Sequence, residues 1–180
     1  MSDWATALLR SVPRQVILPG AGALYGSLDM VEQSASAVYP AANRALYFPF
    51  LIDTPVTVTQ AFAYNGTVEK GKLDIAILDA SWNRLVNKGL TAQSGTSALQ
   101  LLDLTDTLLM PGLYYGGFTA TSTEATYFRG VTSAIRLQAA GVQQQALGAE
   151  VEIPTTATPA NPASAYIPVF GFSLSDSAVF

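Results

Sequence analysis

Between residues 44 and 130 the chain reads as short runs with a two-residue period, each cut off by a turn signal. Pro55–Tyr64 sets Val56, Val58, Phe62 and Tyr64 on one phase and Thr57, Thr59, Ala61 and Ala63 on the other, the pattern of a half-buried strand. Arg44–Ile52 carries Leu46, Phe48 and Phe50 on one phase and Tyr47 on the other, and Pro49 marks an edge or a bulge. In Lys72–Asp79 the period puts Leu73, Ile75 and Ile77 inward and Lys72, Asp74 and Ala76 outward. Arg84-Leu85-Val86, Ser97–Leu104, Thr107–Met110, Leu113–Thr121 and Ala125–Arg129 complete the series. The dipeptides Asn65-Gly66 and Pro111-Gly112 read as turns. Many short strands at regular spacing specify an all-β chain, and an antiparallel β-sandwich of jelly-roll type is the expected architecture.

The flanks are less regular. Residues 1–43 read as an extended N-terminal arm with weak structure of its own, ahead of a sandwich domain over 44–180. Asp3 caps an expected short helix with Trp4 and Leu8 on one face, and Gln15–Leu18 is a brief β-type run before Pro19-Gly20. Trp4, Leu8, Val16, Ile17 and Leu18 are the arm residues expected to touch neighbouring molecules. Thr132–Leu147 is expected to be helical, although Gly141 and Gly148 weaken it. Residues 155–164, TTATPANPAS, form an extended Pro/Thr/Ala loop, and Ala165–Leu174 is a closing strand. No stretch is apolar for long enough to span a membrane as a helix.

Composition removes most chemistry. The chain has 180 residues with no His and no Cys. Nucleophile systems that need an imidazole or a thiolate are excluded, as are Cys/His zinc sites and thiolate-held clusters. Nine Lys and Arg stand against thirteen Asp and Glu, a net charge of −4, which opposes an electrostatic grip on nucleic acid. No run resembles a calcium loop, so neither metal nor cofactor is expected. Carboxylates are the remaining acid–base groups. Asp103 and Asp106 are close enough in sequence for a glycosidase pair, but solvent-facing residues at a strand–turn–strand junction are the preferred reading. Asp74, Asp79, Glu150 and Glu152 read as solvated faces. Asn65-Gly66-Thr67 fits the glycosylation pattern, though a hairpin turn accounts for it better. Trp82 in a turn, and Tyr114 and Tyr115 on one strand, are the candidate contacts for a glycan or a protein partner.

Six segments carry a resemblance. YPAANRALYFPF, DTPVTVTQAF, GKLDIAILDASWNRLVNKG and ALQLLDLTDTLLMPGLYYGGF, with GVQQQALGAE and ASAYIPVFGF, resemble a family of β-sandwich virion proteins of tailed bacteriophages, over about residues 39–174. The run Lys72–Asp79 ends Ile77-Leu78-Asp79, without the Tyr at the middle position that the resemblance implies. The resemblance implies a non-enzymatic structural protein of the virion, assembled in the bacterial cytoplasm. A capsid decoration or cement protein that bridges subunits of the major capsid protein is the leading expectation. A tail, baseplate or fibre component that binds host glycans is the alternative. A homo-oligomer, with a trimer as one symmetry, is expected, and neither nucleic acid nor membrane is an expected partner.

Overall fold

The computed structural model describes residues 16–17, 23–26, 32–131, 134–149, 152–161 and 166–174. The expected helix at the N-terminus, with Trp4 and Leu8, and Leu18 lie outside these residues. Fourteen strands are described: β1 (Val16–Ile17), β2 (Ala23–Gly26), β3 (Glu32–Val38), β4 (Arg44–Ile52), β5 (Val56–Tyr64), β6 (Lys72–Asp79), β7 (Arg84–Asn87), β8 (Thr91–Ala92), β9 (Leu99–Leu109), β10 (Gly112–Ala120), β11 (Thr126–Val131), β12 (Gln143–Ala146), β13 (Tyr166–Pro168) and β14 (Phe170–Leu174). One short helix, α1 (Ala134–Ala139), interrupts them.

The strands form an antiparallel sandwich, as the period of the sequence predicts. One sheet has the order β1-β2-β14-β5-β9, and the facing sheet has β12-β4-β10-β6-β7, with β8 beside β6. A third sheet, β13-β11-β3, continues the first. The chain steps across the sandwich from β4 to β5 to β6, and again from β9 to β10, in the jelly-roll manner. The first and third sheets join at Val169, whose N–H donates to Phe128 O at 2.8 Å while its carbonyl accepts from Tyr64 N at 2.9 Å.

Between the sheets lies an aromatic core. Phe48 and Phe50 of β4 meet Phe170 and Phe172 of β14, and the Phe48 and Phe170 rings stand edge to face at 4.9 Å. Small residues opposite make room for them. Ala61 and Ala63 of β5 are fully buried, and so is Gly116 at the middle of β10, over which the Phe48 ring lies. Tyr39 seals one end, packing on Phe118, Tyr127 and Tyr166 and donating its hydroxyl to Arg44 O at 2.5 Å.

Several local expectations differ from what forms. Asn65-Gly66 does not close a hairpin: β5 and β6 lie in different sheets, and Gly66 N–H donates to Thr126 O at 2.8 Å. The Asn65 side chain is instead wholly buried, donating to Ser94 O at 2.6 Å and Gln100 Oε1 at 3.0 Å. Gln93, also buried, donates to Thr126 O at 2.8 Å. These amides satisfy backbone groups where three loops converge, and burial makes Asn65 unfit as a glycan acceptor in the folded chain. Helix α1 ends at Ala139, with Gly141 in the left-handed region (φ 79), and the Gln run becomes β12 instead of more helix. Ser97–Leu104 and Thr107–Met110 merge into the single strand β9, whose register with β5 jumps from Gln60↔Asp103 to Val58↔Thr107. Of the expected N-terminal arm, β2 pairs with β14 and β3 with β11, so these parts belong to the sheets. Pro49 sits beyond the stretch of β4 that β12 covers, residues 44–47, so its missing N–H breaks no ladder.

Candidate functional site

The densest collection of chemically distinctive side chains lies on the outer face of the β12-β4-β10-β6-β7 sheet. There the extended segment 152–161 crosses the strands like a strap. At one end Thr156 bridges to Asn83, and Ala157 N–H donates to Trp82 O at 2.9 Å. At the other end Ala160 and Gln144 exchange N–H···O bonds of 2.7 and 2.8 Å. Ile153 and Ala157 point down into a second small core with Ala45, Tyr47, Ala76 and Leu78. The face that the two-residue period assigns to solvent is therefore covered, and β6 is buried on both sides from Leu73 to Leu78.

The strap accounts for Trp82 and Tyr115. Their rings stack at 3.8 Å with 22° between planes, and Tyr47 meets Trp82 edge-on at 5.6 Å. Trp82 takes a left-handed backbone (φ 68) in the turn after β6, which aims the indole back over the sheet. Each of the two rings thus spends a face on the other. Tyr114, next in the chain, points to the opposite side, stacks on Phe50 at 5.9 Å and donates its hydroxyl to Met110 O at 2.8 Å. The structure brings Trp82 and Tyr115 together and separates Tyr114 from them. Val16 and Ile17 form β1, paired with Leu24 and Ala23.

Beneath the strap is a carboxylate that the period puts outside. Asp74 is fully buried and accepts three hydrogen bonds: from Gly89 N at 2.9 Å, Ile153 N at 3.0 Å and Asn87 Nδ2 at 3.1 Å. Asn87 Nδ2 also reaches Glu152 Oε2 at 3.2 Å, and Arg84 Nη1 lies 3.4 Å from the same oxygen while donating to Ile153 O. Asp74 ties β6, the β7–β8 loop and the strap to one point. Burial pushes its carboxyl above the ordinary range, against the pull of these three donors. Asp79 behaves oppositely. It caps the turn with bonds from Asn83 N at 2.9 Å and Ser81 N at 2.8 Å, and the Asn83 bond is the main cause that holds its carboxyl low.

The sign of the pH effect follows. The folded chain holds the Asp74 proton at a pH where the unfolded chain has lost it, so this group's contribution is fullest in acid and is lost as pH rises through the raised folded value. The Asp79 contribution is present above the ordinary carboxylate value and is lost as pH falls through the lowered folded one. The stability gap between wild type and Asp74→Asn is therefore expected to move in favour of wild type as pH falls from neutrality. Urea unfolding of both proteins across a pH series measures it; a constant gap, or one moving the other way, contradicts the assignment.

Asp103 and Asp106 stand elsewhere, exposed on β9 and separated by its bulge, and no partner among the described residues bonds to either carboxylate. Among the described residues no group of three or more Asp or Glu is placed to hold a metal ion, and no helix is long and apolar enough to cross a membrane. Asp74, read from the sequence as a solvated face, is buried, and sequence reasoning missed Gln93 and Gln100 altogether. The signal for Asp74 was an acidic residue inside an otherwise apolar run, LDIAIL. Comparison with known proteins finds no family model, no curated protein and no solved structure that matches the chain.

Proposed function

We propose that this chain is a non-enzymatic structural protein of a tailed-phage virion, most simply a decoration or cement protein that bridges neighbouring capsid subunits. One observation carries the reading. The groups best suited to chemistry are spent on the fold, Asp74 under the strap and Trp82 on Tyr115, while large apolar side chains stand exposed: Val38, Leu85, Leu99, Leu101, Leu108 and Met110. A chain with 12% charged residues and such a surface suits broad contacts with other protein subunits. The segment resemblance to tailed-phage virion sandwiches points the same way. In this reading the major capsid protein or another virion protein is the partner, and the protein acts in the particle.

The alternative location is a tail, baseplate or fibre, where a host glycan would be the ligand. In that reading the half-buried Trp82–Tyr115 pair is the contact, and the exposed apolar side chains are left without a role, which favours the cement reading. The test is quantitative mass spectrometry of purified particles from the source phage, together with a Trp4→Ser/Leu8→Ser variant in a particle-binding assay. A copy number that scales with the capsid subunits, and weakened binding by a variant that still folds, are the expected results. A tail-like copy number moves the protein to the alternative, and absence from particles overturns the proposal.

A further inference from the structure

The fold dictates both residues of the pair Asn65-Gly66. A Cβ on Gly66 would press into Ser36 Oγ and lie 2.5 Å from Thr126 Oγ1 and 2.9 Å from the Thr126 carbonyl carbon, so only glycine fits against the third sheet. Around Asn65 the polarity is set by main-chain groups. Gln100 is held in one orientation, its Nε2 donating to Ala92 O at 2.9 Å and its Oε1 accepting from Ser94 N at 2.9 Å. That Oε1 and the Ser94 carbonyl are the two acceptors that Asn65 Nδ2 meets, while Asn65 Oδ1 accepts from Gln93 Nε2 at 3.4 Å. The main chain is pinned as well: Asn65 N–H donates to Ala98 O at 2.9 Å and Gly66 N–H to Thr126 O at 2.8 Å.

In an unfolded chain the same pair is chemically labile, because glycine leaves its own backbone nitrogen unhindered beside the preceding side-chain amide. Asn43 and Asn83 precede Arg, Asn87 precedes Lys and Asn161 precedes Pro, so Asn65 alone precedes Gly. The Gly66 nitrogen gives its proton to base, bonds to Asn65 Cγ and expels ammonia. Water then opens the cyclic imide at either carbonyl, leaving Asp or isoaspartate, with no oxidation or reduction. We propose that Asn65-Gly66 is a deamidation site that the fold closes and unfolding opens, and that its products lock the chain out of the native state. Closure follows from burial away from base and water, and from Thr126 O, which holds the proton that the Gly66 nitrogen must lose. Exclusion of the products follows from the acceptors. A carboxylate oxygen in place of Nδ2 would face Ser94 O and Gln100 Oε1 in a buried site with no proton to give either. Isoaspartate would add a methylene to the main chain between the bonds to Ala98 and Thr126. The inference goes beyond the virion reading and does not depend on it.

The test holds wild-type protein at mildly alkaline pH, one sample in native buffer and one in guanidinium chloride. After tryptic digestion, mass spectrometry follows peptide 45–70, in which Asn65 is the only Asn. Deamidation at Asn65 is expected at least tenfold faster in the unfolded sample, because the native chain must first open. Equal rates, or no reaction in the unfolded chain, overturn the proposal. The unfolded sample is then returned to native buffer, and folded and unfolded chains are separated by size. Deamidated peptide is expected to concentrate in the chains that fail to refold, and an equal share in both fractions overturns the exclusion of the products. Asn65→Asp is expected to lower the unfolding midpoint or to prevent folding, and a wild-type midpoint overturns the same step.

Discussion

Gly116→Ala is expected to destabilise the fold by about 3 kcal/mol, at the upper end of what overpacking a core costs. A Cβ on Gly116 would lie 2.4 Å from Phe48 Cε1, 2.7 Å from Phe48 Cζ and 2.9 Å from Phe172 Cε2. Neither ring has room to retreat. Phe48 is fully buried against Phe50, Phe170 and Phe172, and Phe172 packs on Phe50 from the facing sheet. Gly116 is also held on both sides, by Phe48 of β4 and Ile77 of β6, so the strand cannot shift without moving two ladders. Chemical unfolding measures the loss. A change below about 1 kcal/mol would mean that the two sheets can part to admit a methyl group, against the close packing of protein interiors.

Asp74→Ala is the second large effect, expected at about 2–4 kcal/mol from buried donors left without an acceptor. Gly89 N–H, Ile153 N–H and the Asn87 amide all point at the missing carboxylate. Part of the loss is returned, because a desolvated charge is also removed, which is why the estimate stays below the sum for three orphaned donors. The damage has a place. Without its central anchor the strap lifts, and the Trp82 and Tyr115 rings that pack with it gain solvent, so tryptophan fluorescence should shift to the red along with the lower unfolding midpoint. An unfolding free energy equal to wild type would show that the strap is held by Ile153 packing alone.

How far the sequence reveals this molecule depends on the distance over which each residue finds its partner. Strand identity is local. The runs 44–52, 56–64 and 72–79 are legible as strands, but their phase is not: a bulge between Val58 and Gln60 puts Ala61 and Ala63 in the core with Val58, where the period groups Val58 with Phe62 and Tyr64, and in β9 Leu99 and Leu101 are exposed while Gln100 is buried. Layering is not local. Lys72–Asp79 looks half-solvated only because nothing in it announces that Ile153, 79 positions after Asp74, will cover its outer face. Asn65-Gly66 has the composition of a hairpin, but its amide is claimed by Gln100 and Ser94, and backbone partners in the third sheet extend the chain past the expected turn. Trp82 and Tyr115 were legible as distinctive residues, yet their stacking on each other is set by the left-handed turn at 82 and the pairing of β10 with β6. The edge at β9 was legible only in hindsight, since exposed leucines in a strand look like core until the sheet order is known.

The place of β14 in its sheet has a consequence for folding. β14 lies between β2 and β5, so among the described residues the β1–β2 hairpin is paired to the rest of the sheet only through residues 171–173. Phe170 and Phe172 also complete the core from that same strand. Until that strand is in place, the sheet has a gap between β2 and β5 with an open strand border on each side. Closing the gap needs residues 24–26 to pair with residues 171–173, far apart in sequence, and such long-range contacts form slowly and leave strand borders open to association until they do.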